Sequence, residues 1–297
     1  MRIPNAKGRG NTRRYRNRSD SPRAESRYTG KLNHTTGKLR VCAVSYLNTT
    51  PLVWGMMVGP QAGRFELEFR LPSECADELA CGAADIGIVP SFELTHLDLE
   101  VLPGTGIACH GAVRSILLIS KVPFGEIRTL ATDSSSRTSV ALSRIVLARR
   151  YSVDPKLRSE KPQLGSMLEH SDAALIIGDA ALVIEPAGLP FHVLDLGLEW
   201  TEMTGLPMVF AVWAARGGLP RQDPEPFLAS LRFGMEHIDD IARQEHAKLG
   251  ITEALAKEYL TRNIVFELGE REYAGLATFL QYASELENPA ETRKVMA

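Results

Sequence analysis

Ser134-Ser135-Ser136-Arg137-Thr138-Ser139 is the richest polar turn in the sequence, and a helix is expected to follow it from about Val140 to Tyr151. Hydroxyls and backbone N–H groups gathered at a helix N-terminus meet a partial positive charge and unpaired donors. That combination suits a carboxylate or a phosphate. Arg137 could add a charged fork. The competing reading is an elaborate N-cap with a surface arginine, although one hydroxyl suffices for a cap. The glycine spacing of a P-loop is missing, so no nucleotide fingerprint is present. Three further polar turns, Ser45 to Asn48, Pro90-Ser91 and Gly178-Asp179, also follow expected strands. In open α/β sheets the carboxyl ends of strands line the ligand crevice.

Single residues in these turns carry distinct chemistry. Asn48 can donate and accept hydrogen bonds but cannot act as a base at neutral pH. It reads equally as a holder of a substrate hydroxyl and as a helix cap ahead of Pro51. Ser115 lies on an expected strand, where it faces a cleft or bonds to backbone. Glu93, Asp133 and Asp179 are candidate acids beside the turns, and each also reads as ordinary helix-dipole complementarity. No nucleophile elbow is present, and the histidines are scattered, which excludes a Ser-His-Asp reading. His96, His110 and His192 lack an i,i+4 partner, so no metal site is expected.

These residues need a frame that brings them together. Short apolar runs at Leu39–Val44, Phe65–Leu71, Ala84–Ser91, Val101–Ala108, Arg114–Ser120, Thr129–Thr132, Ala173–Asp179, Phe191–Leu196 and Leu206–Trp213 predict strands. Helices are predicted from Pro51, over Ser73–Ala80 with Ser73 as N-cap, over Val140–Tyr151 and over Ala180–Ile184. Three more are expected near 224–246, 252–262 and 270–286. The alternation implies an α/β fold with mainly parallel pairing. The expected division is discontinuous: residues 38–122 with 208–297 form one lobe, and 123–207 the other. Ser115–Ser120 and Pro207–Trp213 are the expected crossing strands, with a ligand cleft between the lobes.

The chain has 297 residues, 44% of them hydrophobic and 24% charged, which fits a packed core and excludes a rod or a largely disordered chain. Net charge is −2, unevenly placed: residues 1–40 hold 12 basic and 2 acidic residues, and the remainder 22 basic and 34 acidic. The acidic globular part is not built for nucleic acid. Residues 1–37 are rich in Arg, Asn, Ser and Gly and read as a solvated basic tail, or as an over-long start to the reading frame. Cys42, Cys75, Cys81 and Cys109 show no metal spacing and read as small buried thiols. With no secretory h-region and no apolar run long enough to span a bilayer, a cytoplasmic protein is expected.

Five segments occur in a familiar order: Ser-Tyr-Leu-Asn-Thr-Thr-Pro-Leu at 45–52, Asp-Ile-Gly-Ile-Val-Pro-Ser at 85–91, Ser-Ser-Arg-Thr-Ser-Val at 135–140, Leu-Ile-Ile-Gly-Asp-Ala-Ala-Leu at 175–182 and Thr-Gly-Leu-Pro-Met-Val-Phe-Ala-Val-Trp at 204–213. From about Leu39 to Leu286 the sequence resembles the chorismate dehydratase family of the futalosine route to menaquinone. The resemblance implies a two-lobed fold like type II periplasmic binding proteins. It implies loss of water from chorismate to give 3-[(1-carboxyvinyl)oxy]benzoate, with no metal or organic cofactor. Asn48 carries over by motif as a catalytic or orienting residue. Ser115, Ser134, Ser135, Ser136 and Thr138, with Arg137, are expected to bind the two carboxylates, and Ser45, Ser91 and Asp179 complete the candidate binding set. Glu93 is the first candidate base, with Asp133 and Asp179 behind it. The rival base is the substrate's own enolpyruvyl carboxylate. Alternative readings are a solute-binding protein for a small carboxylate, and the sister enzyme of the same pathway.

Overall fold

The structure, a computed structural model, describes residues 37–133, 135–217 and 222–287. The basic tail up to residue 36 and Ser134 therefore lie outside the described residues.

The chain first lays down β1 (Arg40–Val44), α1 (Thr50–Val58), β2 (Glu66–Arg70), α2 (Pro72–Cys81), β3 (Ile86–Pro90) and β4 (Leu99–Cys109). It then leaves for a second sheet through β5 (Ile116–Ser120), β6 (Thr129–Thr132), α3 (Arg137–Tyr151), β7 (Lys156–Ser159), α4 (Leu164–His170), β8 (Ala173–Ile177), α5 (Asp179–Leu182), β9 (His192–Asp195) and α6 (Leu196–Thr204). It returns with β10 (Met208–Arg216), α7 (Glu225–Glu236), α8 (Ile238–Leu249), α9 (Glu253–Glu258), β11 (Val265–Glu267) and α10 (Glu270–Glu287). The first sheet has the order β11-β4-β10-β3-β1-β2 and the second β7-β6-β8-β5-β9. The chain crosses between them at 110–115 and again at 205–207.

Near-continuous aliphatic runs explain the central strands. β3, β5 and β8 are buried along their whole length, as strands covered on both faces must be. The outer strands β2 and β7 are half-buried or exposed and carry charged residues, which blunts sheet edges. Helix α1 is buried from Pro51 to Met56. It lies against α7 at glycine contacts: a Cβ on Gly234 would sit 2.1 Å from the Pro51 carbonyl oxygen, and one on Gly55 2.6 Å from the Ser230 Cα. This close approach lets the Met56 amide donate to the buried Ser230 hydroxyl at 3.2 Å. Pro51 in the first turn of α1 starts the helix as its sequence predicts. The second sheet is anchored to the crossover by Asp195, whose carboxylate accepts the amides of Val113 and Arg114 and caps α6 through Gly197 and Leu198.

Several sequence expectations are corrected. Pairing is not mainly parallel. β10 runs antiparallel to β3 and β4, and β5 antiparallel to β8 and β9, because β5 begins and β10 ends the excursion into the second sheet. Neither is a crossing strand, since each belongs to one sheet. Residues 116–120 therefore leave the first lobe of the division drawn from sequence. Ser73 is not the cap of α2. Leu71 holds that position, Pro72 opens the helix, and Glu74 accepts the Leu71 amide at 2.9 Å. The helix expected over 224–246 breaks at His237 into α7 and α8. The one over 252–262 turns π-helical at Tyr259–Asn263. Strand β7, helices α4 and α6, and β11 are short elements with no counterpart among the sequence expectations. Cys81 is exposed, while Cys42, Cys75 and Cys109 are buried.

Candidate active site

Between the two sheets lies a cleft of about 540 Å³, a volume that includes space open to solvent. The first sheet contributes Val44, Tyr46, Asn48, Pro90, Ile107, Phe210 and Ala211, and α2 contributes Pro72. The crossover and second sheet supply Val113, Ser115, Ile116, Ile177 and Gly178, and the N-terminus of α3 adds Ser136, Thr138 and Ser139. Every lining side chain is apolar, hydroxylic, phenolic or an amide; none is an acid, a lysine, an arginine or a histidine. A ligand there meets oriented dipoles.

Asn48 sits in a short 3-10 turn between β1 and α1. It does not cap α1, which settles one of its two sequence readings. Its Nδ2 donates to the Tyr259 hydroxyl at 3.0 Å. Its Oδ1 is buried and has no partner among the described residues. A buried acceptor left unpaired costs about 1–3 kcal/mol, which a donor on a bound molecule would recover. Ser115, 1% exposed, accepts from the Tyr259 hydroxyl at 2.8 Å, so it is not the backbone-bonded strand serine of the competing reading. Tyr259 is itself 1% exposed, and burial pushes its hydroxyl pKa above the ordinary phenol value.

Helix α3 presents a 15-residue dipole to the cleft, and its N-cap residue Ser136 makes no side-chain cap bond. Ser136 Oγ instead donates to Ser139 Oγ at 2.8 Å. The first-turn amides of an α-helix have no intrahelical partner, so this end is a donor cradle. Thr138 lines the cleft, and its Oγ1 accepts the Phe92 amide at 3.1 Å, tying α3 to the first sheet.

The structure places the other sequence candidates around the rim. Arg137 turns away from the cleft and pairs with Glu93 at 3.0 Å and Asp77 at 3.1 Å. Its side chain is 38% exposed, while that of Glu93 is 4% exposed. Neither residue lines the cleft, so the expected carboxylate fork and the first-choice base occupy one another across the lobes. Asp133 accepts the Ser135 amide at 2.9 Å and the Ser135 hydroxyl at 2.7 Å. Ser91 donates to the Val209 carbonyl at 2.8 Å, and the exposed Ser45 to that of Arg70 at 3.3 Å; both are structural contacts outside the lining. Asp179 accepts the Leu47 amide at 3.1 Å across the lobes, and burial pushes its carboxyl up to about 6.

Tyr46 and Ser139 line the cleft and Tyr259 is enclosed behind Asn48 and Ser115, none of the three having been singled out as a site residue in the sequence. Tyr46 and Ser139 stand inside polar turns that were. Tyr259 gives no local signal, since a tyrosine in a helical stretch reads as core. Gly178 has φ +61° and ψ −143°, a region open only to glycine. A Cβ there would lie 2.9 Å from the Tyr46 ring. Among the described residues no three His, Cys, Asp or Glu side chains form a group that could hold a metal ion, and no helix is long and apolar enough to cross a membrane.

Known proteins share this architecture. A protein from Archaeoglobus fulgidus superposes with a TM-score of 0.69 at 18% identity, covering 86% of this chain and 99% of its own. The periplasmic aliphatic sulphonate binding protein of Escherichia coli superposes with a TM-score of 0.56 at 15% identity, over 85% of this chain and 92% of its own. The fold is thus the two-lobed α/β fold of periplasmic binding proteins. In sequence, the chain is 30% identical to the chorismate dehydratase of Thermus thermophilus over 240 residues, 73% of this chain and 86% of that protein. Residues 39–285 match the menaquinone biosynthesis family. With nearly the whole two-lobed body matched, and a curated enzyme among its relatives, this chain belongs to the menaquinone biosynthesis family.

Proposed function

We propose that this protein dehydrates chorismate to 3-[(1-carboxyvinyl)oxy]benzoate, the first step of the futalosine route to menaquinone. The observation that carries the reading is the pairing of an unpartnered Asn48 Oδ1 with the hydroxyl- and amide-rich start of α3 in one uncharged cleft. Chorismate brings two carboxylates and one ring hydroxyl. The α3 amides with Ser136, Ser139 and Ser115 suit the carboxylates, and Asn48 Oδ1 accepts from the ring hydroxyl and so orients it.

The ring carbon bearing the ether loses its proton, and the C–O bond to the neighbouring hydroxyl breaks. That hydroxyl leaves with a proton as water, and the ring becomes aromatic. Delocalisation through the ring diene and its carboxylate supports the negative charge that develops. Glu93 is held by Arg137 and Asp133 by Ser135, and among the described residues no carboxylate lines the cleft. These contacts favour the substrate's own enolpyruvyl carboxylate as the group that takes the ring proton. Closure of the lobes around the substrate excludes water and strengthens each of these contacts.

The test is incubation of the purified protein with chorismate, without added cofactor or metal, followed by chromatography and mass. The expected product is lighter by one water and has a benzoate-type absorbance. Asn48→Ala is expected to lower turnover roughly 100-fold, as loss of an orienting hydrogen bond does. Intact chorismate that nevertheless raises the melting temperature would replace the reading by a binding protein for a small carboxylate, the role its periplasmic fold relative in Escherichia coli has for sulphonates.

A further inference from the structure

The hydrogen bonds at Asn48 have a direction, and one residue sets it. A tyrosine hydroxyl has a single proton to donate and lone pairs to accept with. The Asn48 amide nitrogen can only donate, so at the 3.0 Å contact Tyr259 accepts. Its own proton is committed to Ser115 Oγ, 2.8 Å away. Two consequences follow. Asn48 is held with Nδ2 toward Tyr259, which points Oδ1 away from it, where it is buried without a partner among the described residues. Ser115, already accepting, has its own hydroxyl hydrogen left over, and no described residue is seen to take it.

We infer that Tyr259 is a positioning residue that fixes the hydrogen-bond polarity of the cleft, presenting an acceptor at Asn48 and a donor at Ser115 to the same bound molecule. This rests on the reading that both residues touch substrate. An acceptor beside a donor is the pattern that a ring hydroxyl next to a carboxylate-bearing ether requires. The tyrosine is well placed to impose it. It is fully enclosed, it opens the π-helical turn Tyr259–Asn263, and π-turns are frequent at functional sites. It reaches Asn48 in the turn between β1 and α1 and Ser115 on the crossover, 211 and 144 residues away in sequence, so amide orientation and crossover position are set together.

Tyr259→Phe removes one oxygen and keeps the ring. With chorismate, kcat is expected to fall roughly 10- to 100-fold while the protein keeps its fold by circular dichroism. In an Asn48→Ala/Ser115→Ala background the same change is expected to have less than about a twofold further effect, because its partners are gone. Ser115→Ala provides a second route: the tyrosine proton then turns to Asn48, and the amide is expected to reverse. The side-chain amide resonances of Asn48 in a 15N spectrum of the full chain, assigned by their loss in Asn48→Ala, are expected to move in both single variants. Resonances that stay in place, a kcat within twofold of wild type, or an undiminished effect in the double-variant background each overturn the inference. A wild type inert toward chorismate sinks the proposed function instead, and the amide resonances then decide the role of Tyr259 alone.

Discussion

Asp179→Asn is expected to make this protein more stable at neutral pH. The carboxylate is largely buried beside the cleft and accepts one identified hydrogen bond, from the Leu47 amide at 3.1 Å. Burial pushes its pKa from 3.8 to about 6. A carboxyl raised in the folded state binds its proton more tightly there than in the unfolded chain. Its contribution to stability is therefore full below about pH 4 and is lost as the pH rises through about 6. The gap between the two values corresponds to about 3 kcal/mol at neutral pH. Asparagine keeps an oxygen for the Leu47 amide and has no charge to bury. Chemical unfolding of both proteins should show near-equal stability at about pH 4. By about pH 8 the variant should lead by about 3 kcal/mol, which for a chain of this size is roughly 6–12 °C in melting temperature. A difference between the two proteins that does not change with pH, or a variant less stable at pH 8, would refute the buried-charge reasoning. Turnover measured in the same samples is expected to persist, which separates a charge tolerated at the rim from a general base.

Arg137→Gln should cost about 1–3 kcal/mol in chemical unfolding, because it leaves the buried Glu93 carboxylate without its half-exposed guanidinium partner. Adding Glu93→Gln should restore most of that loss and leave turnover intact. An Arg137→Gln protein of normal stability but with a hundredfold higher KM would instead make Arg137 a substrate ligand. Gly178→Ala forces a non-glycine residue to φ +61° against the Tyr46 ring. A loss of roughly 1–3 kcal/mol together with a fall in turnover is expected, from heat unfolding and the chorismate assay. Gly234→Ala places a Cβ 2.1 Å from the Pro51 carbonyl oxygen and should push α7 off α1 at a cost of about 1–3 kcal/mol. It should disturb activity as well, since α1 begins just after Asn48.

The parts of the site that local sequence could reveal are those in which a polar turn interrupts an apolar run. Asn48, Ser136 and Thr138 each follow such a run, and strand ends converge on one crevice in this fold. Ser115 was visible for a related reason, as a hydroxyl at the head of an aliphatic strand. What local sequence could not show is which residue would answer which. Glu93 looks like a free acid beside a cleft turn until Arg137, 44 residues on, is seen to hold it. Tyr259 is further still from its partners. Strand direction failed for a similar reason. Each strand's own residues report burial and length. Whether β10 lies parallel or antiparallel to β3 is decided by the whole excursion into the second sheet.

The acids beside the cleft are all occupied, and the proposed substrate explains why they should be. Two like charges about 4 Å apart at an effective dielectric of about 20 repel by about 4 kcal/mol. A lining carboxylate would therefore oppose binding of a dianion by a factor of several hundred or more. Each acid beside the cleft is instead engaged. Glu93 is tied to a guanidinium, Asp133 to an amide and a hydroxyl, and Asp179 to the Leu47 amide. Two of these ties, those of Glu93 and Asp179, join turns that follow strands of the first sheet to helices that follow strands of the second, as does the Phe92–Thr138 bond. The charges kept away from the substrate thus also hold the lobes in register around it. Deleting a rim acid should register as changed stability or closure before it registers as lost chemistry, whereas deleting Asn48 should do the reverse.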